Sequence, residues 1–152
     1  MTPIDGIRDA HESEVELLEG LQLRASLVWE EYRDDLLAHP DAIELPPGQV
    51  QDGRVRVAVA RGRITGFSVA LPGAGGVTEL DGLFVDPDLQ HGGIGRSLVV
   101  DVIAAARARG DGRVDVTAGP AVGFYERIGF VVGEPVPTRF GPARRLHLDL
   151  GG

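Results

Sequence analysis

The sequence predicts an α/β fold, a mixed and mostly antiparallel sheet flanked by helices, and three stretches carry that prediction. Val77, Glu79, Asp81, Leu83 and Val85 alternate with Thr78, Leu80, Gly82 and Phe84 at period two, and a Gly-rich turn then leads into a helix-periodic run from Ile94. Residues 54–60 and 64–71 alternate in the same way around Arg61-Gly62-Arg63, the pattern of a tight hairpin. Residues 131–136 and 144–150 form a last alternating pair. At 152 residues and 43% hydrophobic composition, the chain suits one domain, residues 1–152, built on one sizeable core.

The elements follow in order. Residues 13–32 read as a helix, with Val15, Leu18, Leu21 and Gln22 at helical spacing and Ser13 forming a capping box with Glu16. The charged run 30–35 with Leu36-Leu37-Ala38 reads as a second short helix or a kink that ends before Pro40, and Pro46-Pro47-Gly48 as a loop. The hairpin comes next, and residues 72–76 form a flexible connection into the central strand, which Asp86-Pro87-Asp88 stops. In the following helix Ile94, Leu98, Val102 and Ala106 recur every four residues, Val99 and Ile103 widen the apolar stripe, and Arg96, Asp101, Arg107 and Arg109 lie off it. Gly110 closes that helix. A short strand over 113–117, a late helix and the closing strand pair, joined through residues 137–143, complete the chain. No internal repeat or low-complexity tract interrupts it.

The turn between the central strand and its helix carries the chemistry. Gly92, Gly93 and Gly95 stand where a Cβ would hold the backbone away from an anion or forbid a positive φ. A helix start offers unpaired N–H groups and roughly half a positive charge, so the passage predicts a phosphate or pyrophosphate site. Arg96 in the first turn opposes the helix dipole and fits better beside a bound phosphate. Two familiar phosphate loops are excluded. The chain has no lysine for a G-x-x-x-x-G-K-[ST] loop, and Leu98 replaces the third glycine of the dinucleotide fingerprint.

What remains, Gln90-His91-Gly92-Gly93-Ile94-Gly95, resembles the [QR]-x-x-G-x-[GA] signature of the GCN5-related N-acetyltransferase (GNAT) superfamily. Phe124-Tyr125-Glu126-Arg127-Ile128-Gly129-Phe130 resembles the same family's late helix and turn, and the two motifs stand in the family's order. The resemblance extends from about Arg54 to the end of the chain and, more loosely, over the helical N-terminal part.

It implies a sheet whose central strands splay, with acetyl-CoA as co-substrate lying in the gap. The Leu83 N–H would face the thioester carbonyl, Val85 would bond the pantetheine arm beside Phe84, and the pyrophosphate would rest on Gln90, His91, Gly92, Gly93, Ile94, Gly95, Arg96 and Ser97. Acetyl transfer to an amine needs a base, because an alkylammonium with a pKa near ~10 is almost wholly protonated at neutral pH. Glu79, fourteen residues before Gly93, has the register of the family's strand glutamate, and Asp81 shares its strand face. Tyr125 matches the tyrosine that assists departure of the thiolate, while Gly129 stops the late helix. One departure is Ala118, where many members carry an asparagine that bonds the cofactor.

Composition narrows the alternatives. With no cysteine there is neither a disulfide framework nor a thiol nucleophile, and a cytoplasmic location is the default. No run approaches the ~18 apolar residues of a membrane span, and no G-x-S-x-G elbow is present. His11, His39, His91 and His147 are too scattered for a metal site. Charge is uneven: residues 1–49 carry −9 and residues 50–152 carry +1. An acidic half repels nucleic acid and favours a cationic acceptor, such as a polyamine, an amino sugar or a peptide N-terminus. Trp29 and Tyr32 could stack on such an acceptor, although core packing also accounts for them. The resemblance also implies that exposed edges and end strands can pair, as they often do in similar proteins, which allows a homodimer. Two other functions are consistent with parts of the pattern: a catalytically silent acyl-CoA-binding or regulatory module, and an interaction protein that docks through its acidic helices.

Overall fold

The computed structural model describes residues 5–39, 41, 43–89, 92–139 and 141–151, with the backbone alone for residues 30–32. Seven strands form one mixed sheet in the order β1-β2-β3-β4-β5-β7-β6, where β1 is Gly6–Asp9, β2 Val55–Ala60, β3 Arg63–Pro72, β4 Val77–Val85, β5 Arg113–Ala118, β6 Val131–Thr138 and β7 Gly141–Asp149. The β4–β5 pair is parallel, and β1–β2, β2–β3, β5–β7 and β6–β7 are antiparallel. By internal contacts the chain divides into two compact units, Met1–Val69 with Gly82–Val99 and Ala70–Asp81 with Val100–Gly152.

In the first unit the β2–β3 hairpin turns on Arg61 at φ 52° and Gly62 at φ 75°. Two successive positive φ values make the primed turn whose twist suits a hairpin. Its apolar alternation buries Val55, Val57 and Phe67. Strand β1 pairs antiparallel with β2, Gly6 opposite Val59 and Asp9 opposite Arg56. The sequence reading left this segment unassigned, because four half-exposed residues give no alternation to detect.

The helix predicted over 13–32 is a 3₁₀ turn Glu12–Glu14 followed by α1 Val15–Leu27, and the second short helix predicted before Pro40 is α2 Glu30–Ala38. Glu14, rather than Glu16, reaches back, accepting the His11 N–H at 2.8 Å, so the cap sits two residues before the predicted Ser13. Arg8 holds the same carboxylate with two bonds of 2.9 and 3.0 Å, which joins β1 to the helix start and lowers the Glu14 pKa. Leu18, Leu21 and Ala25 form the buried stripe of α1. Instead of the predicted loop at Pro46-Pro47-Gly48, a short helix α3, Pro47–Gln51, begins with proline in its first turn, where the missing N–H costs nothing.

In the second unit β5 lies between β4 and β7, and Val114 and Val116 are buried. The C-terminal part of α4 (Ile94–Ala108) and α5 (Val122–Ile128) both end on glycines with positive φ, Gly110 at 84° and Gly129 at 121°. At each, two backward bonds close the helix: Asp111 N–H to Ala106 and Gly110 N–H to Arg107, then Phe130 N–H to Tyr125 and Gly129 N–H to Glu126. Both stops were legible as glycines. The closing strands are longer than predicted, with β6 reaching Thr138 and β7 starting at Gly141.

Candidate active site

In the first unit, Leu83 and Val85 pack against Ala58, Ile94 and Leu98, which seats the second half of β4 against the first turn of α4. On the other strand face Phe84 meets Phe67 with ring centroids 5.1 Å apart. Asp86 N–H bonds the Thr65 carbonyl at 2.9 Å. Because amides alternate sides along a strand, those of Leu83 and Val85 turn to the edge away from β3. The side chains of Leu83 and Val85 serve the core, and the paired rungs of β4 with β5 end before them, at Leu80.

Gly66 makes this close packing possible, and the sequence reading did not single it out. A Cβ there would stand 2.8 Å from the Phe84 carbonyl oxygen and 3.2 Å from atoms of Ile94 and Leu98. The signal available was a glycine inside an alternating strand, which marks close backbone approach. Buried Asp86 was read only as a strand stop. Its carboxylate accepts the Asp88 N–H at 3.0 Å and faces Arg24 at 3.8 Å, fixing the exit from β4.

Gln90 and His91 lie outside the described residues. Of the glycines in the turn, Gly93 has a positive φ, 82°. The first helical bond runs from Ser97 N–H to the Gly93 carbonyl at 3.0 Å. The amides of Ile94, Gly95 and Arg96 therefore have no acceptor within the helix, whereas that of Ser97 is taken and only its hydroxyl remains for a ligand. Ile94 is buried and takes part through its backbone alone, while the Arg96 side chain is exposed.

In the second unit, Glu79 and Asp81 share one face of β4 as predicted, but in different surroundings. Arg145 of β7 holds Glu79 with two bonds, 2.6 and 3.1 Å. The same guanidinium donates to the Thr117 hydroxyl at 2.7 Å and to Asp115 at 3.2 Å, and Arg113 pairs with Asp115 at 2.7 Å. Among the described residues Asp81 makes no ion pair. Asp81 is exposed at its outer side, and partial desolvation of its carboxyl, followed by the negative charge of Glu79, raises its pKa above the usual aspartate value. The parallel rungs of β4 with β5 run from Val77 opposite Arg113 to Leu80 opposite Val116 and stop there, while β4 continues to Val85.

Tyr125 is buried on α5, edge-on to Phe124 at 5.0 Å and Phe130 at 5.4 Å, and burial pushes its phenol well above the ordinary tyrosine value. It thus anchors the core and stays protonated. Ala118 closes β5 opposite Arg144. In the first unit Trp29 is half-buried between α1 and α2, and the side chain of Tyr32 lies outside the described residues. Among the described residues no group of three or more His, Asp or Glu side chains could hold a metal, and no helix is long and apolar enough to cross a membrane.

A family model described as an acetyltransferase (GNAT) domain matches residues 51–132. No curated protein sequence matches the chain. Among solved structures, a GCN5-related N-acetyltransferase from Rhodopseudomonas palustris superposes with a TM-score of 0.81 at 18% identity, covering 98% of each chain. The PaiA N-acetyltransferase from Thermoplasma acidophilum, solved in complex with coenzyme A, gives 0.74 at 18% identity over 94% of this chain and 98% of its own. YncA, a putative acetyltransferase from Salmonella typhimurium solved with acetyl-CoA, gives 0.70 at 21% identity over 99% and 96%. At these identities the superpositions establish the fold, which is the mixed, mostly antiparallel sheet with flanking helices that the sequence predicts.

Proposed function

The chain belongs to the acetyltransferase (GNAT) domain family, and from that premise we propose that it moves an acetyl group from acetyl-CoA to a primary amine of a small molecule or peptide, directly, within a ternary complex. The observation that carries the proposal is the turn at Gly93, where the amides of Ile94, Gly95 and Arg96 stand without helical acceptors at the positive end of a fifteen-residue helix. That arrangement suits a pyrophosphate. Gly92 and Gly93 let the backbone approach it, Arg96 adds charge, and the Ser97 hydroxyl adds a donor. Upstream, the outward amides of Leu83 and Val85 suit the thioester carbonyl and the pantetheine arm, with Phe84 fixing the strand from its other face.

The reaction then follows from the groups present. An ammonium acceptor gives one proton to a carboxylate of the Glu79–Asp81 pair and becomes a neutral amine with a free lone pair. That lone pair attacks the thioester carbonyl, and the oxygen, now negative, bonds the Leu83 N–H; removing one such donor typically costs about 3 kcal/mol of barrier. The C–S bond breaks, coenzyme A departs as a thiolate, and the second nitrogen proton completes the thiol. Tyr125 contributes a hydrogen bond to sulfur rather than a completed proton transfer, because its raised pKa far exceeds the ~8.5 of a thiol. With no cysteine in the chain, no cysteine-linked acyl-enzyme precedes these steps.

We assign a cationic acceptor on charge: residues 1–49 carry −9. A homodimer through the sheet's end strands, β1 and β6, and a cytoplasmic location belong to the same reading. The experiment is thiol detection with acetyl-CoA and a panel of polyamines, amino sugars and peptides. Amine-dependent thiol release is the expected result. Coenzyme A binding without release for any amine would favour the silent acyl-CoA-binding module.

A further inference from the structure

On the polar sheet face of the second unit, one arginine spends its donors on three neighbours. Arg145 places four donor contacts: two on Glu79 at 2.6 and 3.1 Å, one on the Thr117 hydroxyl at 2.7 Å and one on Asp115 at 3.2 Å. It thereby ties β7 across β5 to β4. Both Glu79 oxygens accept from the same guanidinium, the planar two-pronged geometry in which a carboxylate is held most firmly. Two residues on, along the same face, Asp81 has no cationic partner among the described residues. The tie sits on the second-to-last rung between β4 and β5, Glu79 opposite Asp115, just before β4 runs on alone.

We propose that Arg145 is a positioning residue that withholds Glu79 from proton transfer by clamping it as a neutral pair, leaving Asp81 as the carboxylate that takes the acceptor's proton. The inference rests on the acetyltransferase reading and decides between its two candidate bases. Both Glu79 oxygens are already engaged by the guanidinium, so an ammonium reaching Glu79 would compete with Arg145 for the same two oxygens. At Asp81 it meets no such competitor among the described residues. In the proton transfer, the ammonium N–H bond breaks, a carboxyl O–H bond forms on Asp81, and the electron pair stays on nitrogen for attack. The clamp also offsets part of the Glu79 charge that acts on Asp81. Among the described residues, the charged and titratable groups on this face are Glu79 and Asp81 on β4, Arg113 and Asp115 on β5, and Arg145, His147 and Asp149 on β7, with Glu134 of β6 beside Arg145. Arg113 pairs with Asp115 and stands opposite Asp149, so the cation bonded to Glu79 is Arg145, which sets how strongly the Glu79 charge acts on Asp81.

The test is a carbon-detected NMR titration of the Asp81 carboxyl in the full chain, beside pH profiles of kcat/KM with acetyl-CoA and the best amine of the panel. Arg145→Gln exposes the Glu79 charge and is expected to move the Asp81 midpoint up by about one pH unit. The acidic limb of kcat/KM should move with it. The double variant Glu79→Gln/Arg145→Gln removes that charge and should return both near their starting values. A midpoint unmoved by Arg145→Gln, or one still raised in the double variant, overturns the proposal. Should Arg145→Gln fail to fold, Glu79→Gln alone is expected to lower the midpoint, and no change there is equally fatal. If the NMR midpoints move as stated while no amine is acetylated, the clamp stands and the acetyltransferase reading fails.

Discussion

Single side chains divide the work between holding the fold and serving the chemistry, and Tyr125 does both. Its ring is wedged between Phe124 and Phe130, so a volume-conserving change should leave the core intact. Tyr125→Phe is expected to lower kcat about tenfold with little change in coenzyme A affinity, read from steady-state kinetics and calorimetry. An unaltered kcat would remove the hydroxyl from the mechanism. Glu14 offers a pH-dependent test. Its bond to Arg8 holds its pKa below the unfolded value, so its contribution to stability is present above the unfolded pKa and is lost as pH falls through the folded one. Glu14→Gln should therefore cost up to about 1 kcal/mol at neutral pH, the scale of a partly exposed pair. Denaturant unfolding at acid pH should show no difference from the parent. At this scale the sequence named the side chains but not their surroundings. Register alone placed Glu79 ahead of Asp81, because the Arg145 pair joins residues 66 positions apart and leaves no local signal.

At the scale of elements, the long periodic segments were legible and the short ones were not. Strand β4 and the α4 stripe follow their predicted limits because nine and fifteen residues of consistent alternation leave little freedom. Strand β1 and α3 were missed, since four or five residues are fixed by tertiary pairing rather than by pattern. The helix predicted over 13–32 breaks at Val28 and Trp29, where no proline or glycine marks the end. The joint between β4 and α4 yields two predictions. Gly66→Ala is expected to destabilise by about 1–3 kcal/mol and to weaken coenzyme A binding, because the new methyl meets the Phe84 carbonyl and displaces the first turn of α4. Gly93→Ala meets open space but strains a φ of 82°, so it should weaken coenzyme A binding with a stability loss of about 1–2 kcal/mol. Chemical unfolding and titration calorimetry read both effects.

For the whole molecule, the mixed sheet and the strand–turn–helix at β4 and α4 were recoverable from period and glycine placement, whereas the strand order, with β5 between β4 and β7, is set by long-range pairing and left no local signal. The identity of the acceptor was not, because function resides in variable surfaces rather than in the fold. The uneven charge gives the whole chain a direction: neutralising Glu30, Glu31, Asp34 and Asp35 together should raise KM for a cationic amine. That rise should shrink with added salt, and kinetics identical at all salt concentrations would argue against a cationic acceptor. Beneath the acceptor question lies the claim that backbone amides at the turn before α4 hold the diphosphate of a coenzyme A thioester. Titrating the isotope-labelled protein with coenzyme A and following its backbone amide resonances tests that claim most directly. The account predicts that the resonances of Gly92 to Arg96, with those of Leu83 and Val85, move most and saturate together. Resonances there that stay fixed while others shift, or that fail to shift at any concentration, would contradict it.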